Sequence, residues 1–299
     1  MVKNDRQLGI ILVLISSVCW GLTGTLQALA PDGTPPLTVG SARIVIAAIV
    51  LFPLCALRNG VGFLRRIRPA ALLLGVVGIM GYQFSFFSAL RYTGVALGTM
   101  IAIGAGPIFA GIVGAVAEGE AISRRWLLST AVAISGCGIL VLGSAQGPLT
   151  LHWGGISLAF LAAFCYALMG LGLKRLGSSM NSLEAATSIL VTSAIVAIGV
   201  LLSFDSSWIF TPRGATIAVT LGVVTKALPL CTFSMGLKKI RMHDAYTLSL
   251  AEPLTATILS AVVLGERLTP LSLVGVGLIF LGILLLPSSQ GGGASEEHP

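Results

Sequence analysis

Residues 252–269 read EPLTATILSAVVLGERLT, and residues 106–123 read GPIFAGIVGAVAEGEAIS. The two stretches superpose without a gap at an offset of 146, which lays Pro107 on Pro253 and Gly119-Glu120 on Gly265-Glu266. Working outward, the same offset pairs Gly9, Cys19, Leu22 and Gly24 with Gly155, Cys165, Leu168 and Gly170. It also pairs Phe87-Ser88 with Phe233-Ser234 and Gly136 with Gly282. Matches among Ala, Val, Leu and Ile carry little weight in so apolar a chain; the Pro and Gly-Glu matches are informative. A repeat of this kind constrains the fold before any single residue is weighed.

The chain has 299 residues, of which 55% are hydrophobic and 10% charged, with a mean hydropathy of +0.97. A soluble domain carries about 25% charged residues, so the composition predicts an integral membrane protein. The net charge of +7 does not imply nucleic acid, because no Lys/Arg stripe is interleaved with exposed aromatics. Arg65, Arg66 and Arg68 form the densest basic cluster, between two apolar runs, where anionic lipid headgroups are the expected neighbours. The five cysteines (Cys19, Cys55, Cys137, Cys165, Cys231) fall in apolar segments, show no metal-ligand spacing and read as buried thiols. Lys3 and Arg6 precede an apolar run that ends near Ala28-Leu29-Ala30, the outline of a signal peptide. The run from Leu8 to Ala30 exceeds an h-region of about 7–15 residues, so a retained span is expected.

A spanning helix needs about 20 apolar residues. Ten segments qualify: 8–30, 34–57, 69–91, 94–117, 123–144, 151–174, 181–204, 212–237, 243–264 and 269–287. Continuous apolar runs predict helices rather than an alternating barrel, since every backbone polar group in lipid must be satisfied within its own segment. With the N-terminus inside, 13 of the 18 Lys and Arg fall on the inner side and 3 (Arg91, Arg213, Arg267) on the outer. Arg43 and Lys226 lie within spans. Basic loops favour the cytoplasm, so both termini are expected there, in the inner (plasma) membrane. The Gly-rich, acidic segment 288–299 reads as a disordered tail.

Each half, 8–144 and 151–287, holds five spans. Five is odd, so the second half enters the membrane from the opposite side. The expected fold is all-α and polytopic: ten transmembrane helices in two inverted five-helix repeats around a central cavity, an arrangement common in secondary transporters. Several features resemble the EamA-type branch of the drug/metabolite transporter superfamily, over about residues 8–287. They are the Trp-Gly of SSVCWGLTGTL in span one, SALRYTGVALGTMIAIGAGP across spans three and four, and the GE or GERL closing spans four and nine. The resemblance implies a basket of ten helices around a central cavity and export of amino acids, aromatic ones among them, other metabolites or toxic organic compounds. The first Gly-Glu is followed by Ala121-Ile122 rather than Arg-Leu, a departure from the fuller pattern.

Candidate substrate-binding residues are Trp20, Tyr82, Gln83, Tyr166, Lys226 and Glu252. Glu252 lies about nine residues into its span, near mid-depth at about 1.5 Å per residue, and Lys226 lies at similar depth. Ionisable residues inside a membrane mark function by default. Lys226 and Glu252 could form a purely structural pair, separate to hold the ammonium and carboxylate of a zwitterion, or let Glu252 carry a coupling proton. Their repeat equivalents are Met80 and Gly106, so the repeat is broken at both. Mid-span Trp20, Tyr82 and Tyr166, with the amide Gln83, suit either a cavity wall that stacks on a flat or cationic solute or ordinary core packing. Pro253 removes one donor and frees the carbonyl of Ser249; Pro107 does the same to Ile103, beside Gly104 and Gly106. These residues, with Glu120 and Glu266, are the hinge and gate candidates. Arg43 reads as snorkelling outward, and Trp126, Trp153 and Trp208 as members of the aromatic belt. Gly75-x2-Gly78-x2-Gly81, Gly94-x3-Gly98 and Gly21-x2-Gly24 read as close helix contacts.

No cofactor or metal is expected, and the partners are a small-molecule substrate and the bilayer. A membrane-embedded enzyme would need a nucleophile with its base, a metal set or paired carboxylates. His152, His243 and His298 lie at span ends or in the tail, and no such set is present. A channel without alternating access is the other alternative; paired mid-span prolines in inverted halves favour a carrier.

Overall fold

The structure, a computed structural model, describes residues 2–144, 151–263, 265 and 268–286. The described residues are helical with short joints and contain no strand. Among the described residues, nine helices are long and apolar enough to cross a membrane: Asn4–Ala28, Pro36–Asn59, Pro69–Val95, Leu97–Glu118, Arg124–Gly143, Trp153–Gly177, Ser182–Ser203, Pro212–Leu237 and Met242–Val263. A shorter apolar helix, Pro270–Leu285, follows. We refer to them as spans one to ten. The chain is thus an all-helical, multi-pass membrane protein. The expected tail at 288–299 and the gate candidate Glu266 lie outside the described residues.

Local chemistry sets the helix ends. Proline takes the first turn of the helices from Pro36, Pro69, Pro212 and Pro270, where a missing amide costs nothing. Span seven opens on a capping box in which Asn181 and Glu184 each accept the other's backbone amide. Gly119 and Gly265 both take positive φ, 66° and 71°. A side chain is strained there, which explains the glycine of each Gly-Glu pair: it stops span four and turns the chain after span nine.

The packing is almost unchanged when the halves are exchanged. Span three runs along span six as span one runs along span eight, and span four meets span six as span one meets span nine. Spans two and seven, five and ten, and four and nine pack on one another as pairs. The agreement extends to atoms. A Cβ on Gly136 would lie 2.6 Å from the amide of Ile279, and one on Gly282 would lie 2.7 Å from the amide of Ala133. Ile279 and Ala133 are themselves related by the repeat offset. Without a hydrophobic drive between helices in lipid, backbone approach of this kind supplies the packing. Gly75, Gly78 and Gly81 make similar close contacts with neighbouring spans. Gly94 does not: it meets open space and, at φ 78°, turns the chain between spans three and four. The nearest atoms a Cβ on Gly98 would meet belong to Leu90 and Thr93, nearby in sequence, and a Cβ on Gly24 would meet nothing within 4 Å.

The joints sort onto two faces. On one, the start of span one meets the joint between spans eight and nine (Asp5–Lys239). Arg66, between spans two and three, bonds Glu184 at 2.8 Å; Glu120, after span four, reaches Lys174 and the start of span nine. On the other, Arg213 donates to Leu29 O at 2.9 Å, Tyr92 stacks on His152 at 4.8 Å, and Thr269 donates to Gly143 O at 2.9 Å. Glu120 therefore sits at the face opposite Thr269.

Replacing Gly282 with Leu should lower stability by about 1–3 kcal/mol, the usual cost of overpacking. The melting temperature in detergent checks this; an unchanged value in G282L would show that spans five and ten are not in backbone contact.

Candidate substrate site

Spans eight and nine are irregular at mid-depth, and each irregularity presents a charge. In span eight a π turn, Val223–Ala227, carries Lys226 and ends two residues before Pro229. Proline cannot donate to the carbonyl four residues earlier, and the wider turn, closed by Leu228 N–H onto Val223 O, accommodates the gap. Span nine breaks between Leu248 and Ala251 and restarts with Glu252 in the first turn of the new helix, where a carboxylate complements the helix dipole. Span four breaks likewise at Ala105, before Gly106 and Pro107. The carbonyl of Ser249 is not left free, as the sequence implied: Glu252 N–H donates to it at 2.9 Å. At the related break the Ala105 amide reaches both Ile101 O and Ile103 O. The prolines therefore tighten the turns rather than expose acceptors.

Lys226 is buried and Glu252 half-buried. They do not close an ion pair, yet each lies in the other's field, and Arg43 of span two acts on both. Arg43 does not snorkel. Its Nε is buried without a hydrogen-bond acceptor among the described residues, and its charge also acts on Tyr82. Span two turns this residue toward spans three, eight and nine, a direction that position along the chain does not reveal.

The aromatics expected at mid-depth do converge. Trp20 and Tyr166, repeat equivalents, meet edge-on with centroids 5.9 Å apart, and Tyr82 lies 5.7 Å from Tyr166. Three rings join them that sequence reasoning had not singled out. Phe86 stacks on Tyr82 at 5.2 Å, Phe233 lies 5.1 Å from Trp20, and fully buried Tyr246 lies 4.5 Å from Tyr166 and bonds its carbonyl. Phe233 had a signal in its match with Phe87, whereas Tyr246 pairs with Met100 and had none. The Tyr166 hydroxyl, on the side of the break in span nine, is buried and has no hydrogen-bond partner among the described residues. Gly106, the counterpart of Glu252, is covered by Tyr166 and Tyr246 at 3.3 and 3.7 Å from where a Cβ would stand. Gln83 departs from the group: its amide packs on Gly40 of span two, buried and unpartnered. Gly104 is buried in the last turn before the break in span four, where a Cβ would meet only Ile134, at 4.0 Å.

Glu120 closes one face. It accepts from Lys174 of span six and from Met242 N of span nine at 2.9 and 3.0 Å, and His243 Nδ1 lies 3.0 Å from Oε2, off the line of a straight hydrogen bond. Burial opposes ionisation of this carboxyl, but the contacts from His243, Lys174 and the Met242 amide outweigh it and hold it down to about 2. Glu118 adds a 2.9 Å pair with Arg175. Every ion pair among the described residues lies at this face. Trp126 belongs to the same assembly rather than to the membrane belt: it is buried, donates to Thr247 at 3.1 Å and packs edge-on against His243. Trp208 is also buried, donating to Thr38 at 3.0 Å, whereas Trp153 is exposed as a belt residue should be. No group of His, Cys, Asp and Glu among the described residues could hold a metal ion.

Two matching helical halves, with charges at the mid-depth breaks of the second and a polar seal at one face, define a polytopic protein of the transporter class. The chain belongs to the EamA-like transporter family, whose description matches residues 7–142 and again residues 153–287. It is 32% identical to an uncharacterized transporter of Bacillus subtilis (strain 168), covering 93% of each chain. It is 28% identical to a probable amino-acid metabolite efflux pump of Salmonella typhimurium (strain LT2), covering 92% of this chain and 93% of that one. A solved crystal structure shares the fold at a TM-score of 0.81, with 19% identity over 93% of this chain and 95% of that one.

Glu120 is held below its ordinary 4.5, so its contribution to stability is complete above about 4.5 and is lost as pH falls through about 2. Melting followed from pH 6 down to pH 3 should show the onset of this loss. In Glu120→Gln the acid-side slope should flatten; an equal slope in both proteins would show that Glu120 does not hold the face together.

Proposed function

We propose that this transporter is a secondary carrier that exports amino acids, aromatic ones among them, and related small metabolites or toxic organic compounds by alternating access. The observation that carries the reading is the grouping of Arg43, Lys226 and Glu252 beside the rings of Trp20, Tyr82 and Tyr166 at the breaks of two spans. Charges at this depth demand water or a solute, and rings at their side suit the body of an aromatic amino acid. The two halves, 8–144 and 151–287, act as inverted repeats enclosing the site, a reading supported by packing that survives their exchange. The breaks at Gly104–Pro107 and at Ser249–Pro253 are the flexing points.

The ionic face is the cytoplasmic one, with both termini on that side of the plasma membrane, because the basic joints gather there. Its seal of Glu120, Lys174, Glu118 and Arg175 joins one half to the other and must open for loading. Glu266, its repeat counterpart in the sequence, is the gate candidate of the second half. Glu252 is the group through which a proton gradient would couple. The amino-acid assignment agrees with the name of the Salmonella typhimurium relative.

Purified protein in liposomes should give saturable flux of an aromatic amino acid that responds to an imposed pH gradient. Glu252→Gln should reduce that flux at least about tenfold, the loss of roughly 1.4 kcal/mol of differential binding, while melting stays near wild type. Unchanged flux would remove Glu252 from the site, and non-saturable flux would indicate a channel. Trp20→Ala and Tyr166→Ala should each weaken binding measured by scintillation proximity. Equal affinity in both would return these rings to a packing role.

A further inference from the structure

The charges at mid-depth do not balance. Arg43 and Lys226 are basic and Glu252 is acidic, and each acts on the others without a closed ion pair. A proton passed between Lys226 and Glu252 leaves their sum unchanged, so until Glu252 takes up a coupling proton the group as a whole keeps one positive charge, that of Arg43. Arg43 has a buried Nε for which the described residues provide no acceptor. An unpaired buried donor on a charged group is costly, and a guanidinium matches a carboxylate in shape and hydrogen-bond direction. The repeat counterparts of the three charges are Ile189, Met80 and Gly106, none of them ionisable. The related place in the first half is covered instead by Tyr166 and Tyr246. The excess charge therefore has no mirror image, and a solute bound across the two halves meets charge on one side and rings on the other.

Resting on the carrier reading above, we propose that, among the amino acids and related metabolites named there, the preferred substrate class is the organic monoanion: a solute with one carboxylate, an apolar or aromatic body and no free ammonium, such as an N-acylated aromatic amino acid. Its carboxylate pairs with Arg43, and its ring lies against Trp20, Tyr82 and Tyr166. Binding brings the group of fixed and mobile charges to zero, the condition under which a charged site can cross between faces at least electrostatic cost. A zwitterion leaves the excess in place, and a cation adds to it.

The test uses the full chain in lipid nanodiscs and three probes of equal ring and different charge: N-acetylphenylalanine, phenylalanine and phenylalanine amide. Isothermal titration should give N-acetylphenylalanine an affinity at least tenfold above phenylalanine, with the amide weakest. Arg43→Gln should abolish that preference and Arg43→Lys should keep part of it; the wild-type ranking decides the matter alone should R43Q not fold. Equal affinities, or the amide ranking first, overturn the proposal. Flux in liposomes separates this failure from that of the carrier. Saturable phenylalanine flux with no competition from N-acetylphenylalanine discards the monoanion and leaves the carrier standing. Non-saturable flux of all three probes discards both.

Discussion

A carboxylate held halfway through a hydrocarbon layer is the constraint around which this protein is arranged. Glu252 is tolerable there only because the chain around it departs from a plain helix. The break at Ser249 and Leu250 starts a new helix whose positive end receives the carboxylate. The π turn in span eight brings Lys226 into its field, and span two supplies Arg43. Remove the breaks and the same residues would stand along unbroken helices, with no common place to meet. Irregular backbone at membrane depth is allowed where it is covered by protein, and the aromatic cluster provides cover at the related break in span four.

Symmetry and its violation divide the work. Glycine contacts between spans five and ten repeat to within 0.1 Å across the halves, 2.6 Å against 2.7 Å, and the positive φ of Gly119 recurs at Gly265. These are features of the frame, which is nearly the same in both halves. The ionisable residues at mid-depth and the ion pairs obey no such rule. All three central charges belong to positions whose counterparts are apolar or glycine, and all described ion pairs crowd one face. In the carrier proposed above, an even frame with uneven chemistry would favour one state at rest and another when loaded, because only differential interaction shifts an equilibrium.

Much of this was legible in the amino-acid sequence, and the reason is that hydropathy and backbone breakers act locally. Apolar runs of about 20 residues mark spans whatever they pack against. Pro107, Pro253 and the Gly-Glu pairs impose their turns on any neighbour, and Lys226 and Glu252 are conspicuous in the apolar middle of their segments. Trp20 and Tyr166 could be linked because the repeat offset relates them. The sequence by itself therefore determined the membrane class, the two-part organisation, the places where helices break and two of the three central charges.

Which way a side chain faces was decided only in the tertiary structure, since it depends on how each helix is rotated against its neighbours. Arg43 turns inward to the charge group instead of outward to the headgroups, and Gln83, next to Tyr82, turns away from it onto Gly40. Trp126 and Trp208 stand at span ends, as belt residues do, but each finds a threonine partner inside the protein. Glu120, Lys174 and His243 are far apart in sequence and come together because spans four, six and nine end side by side at one face. Local propensity fixes where a helix is; only contact with other helices fixes what it presents to them.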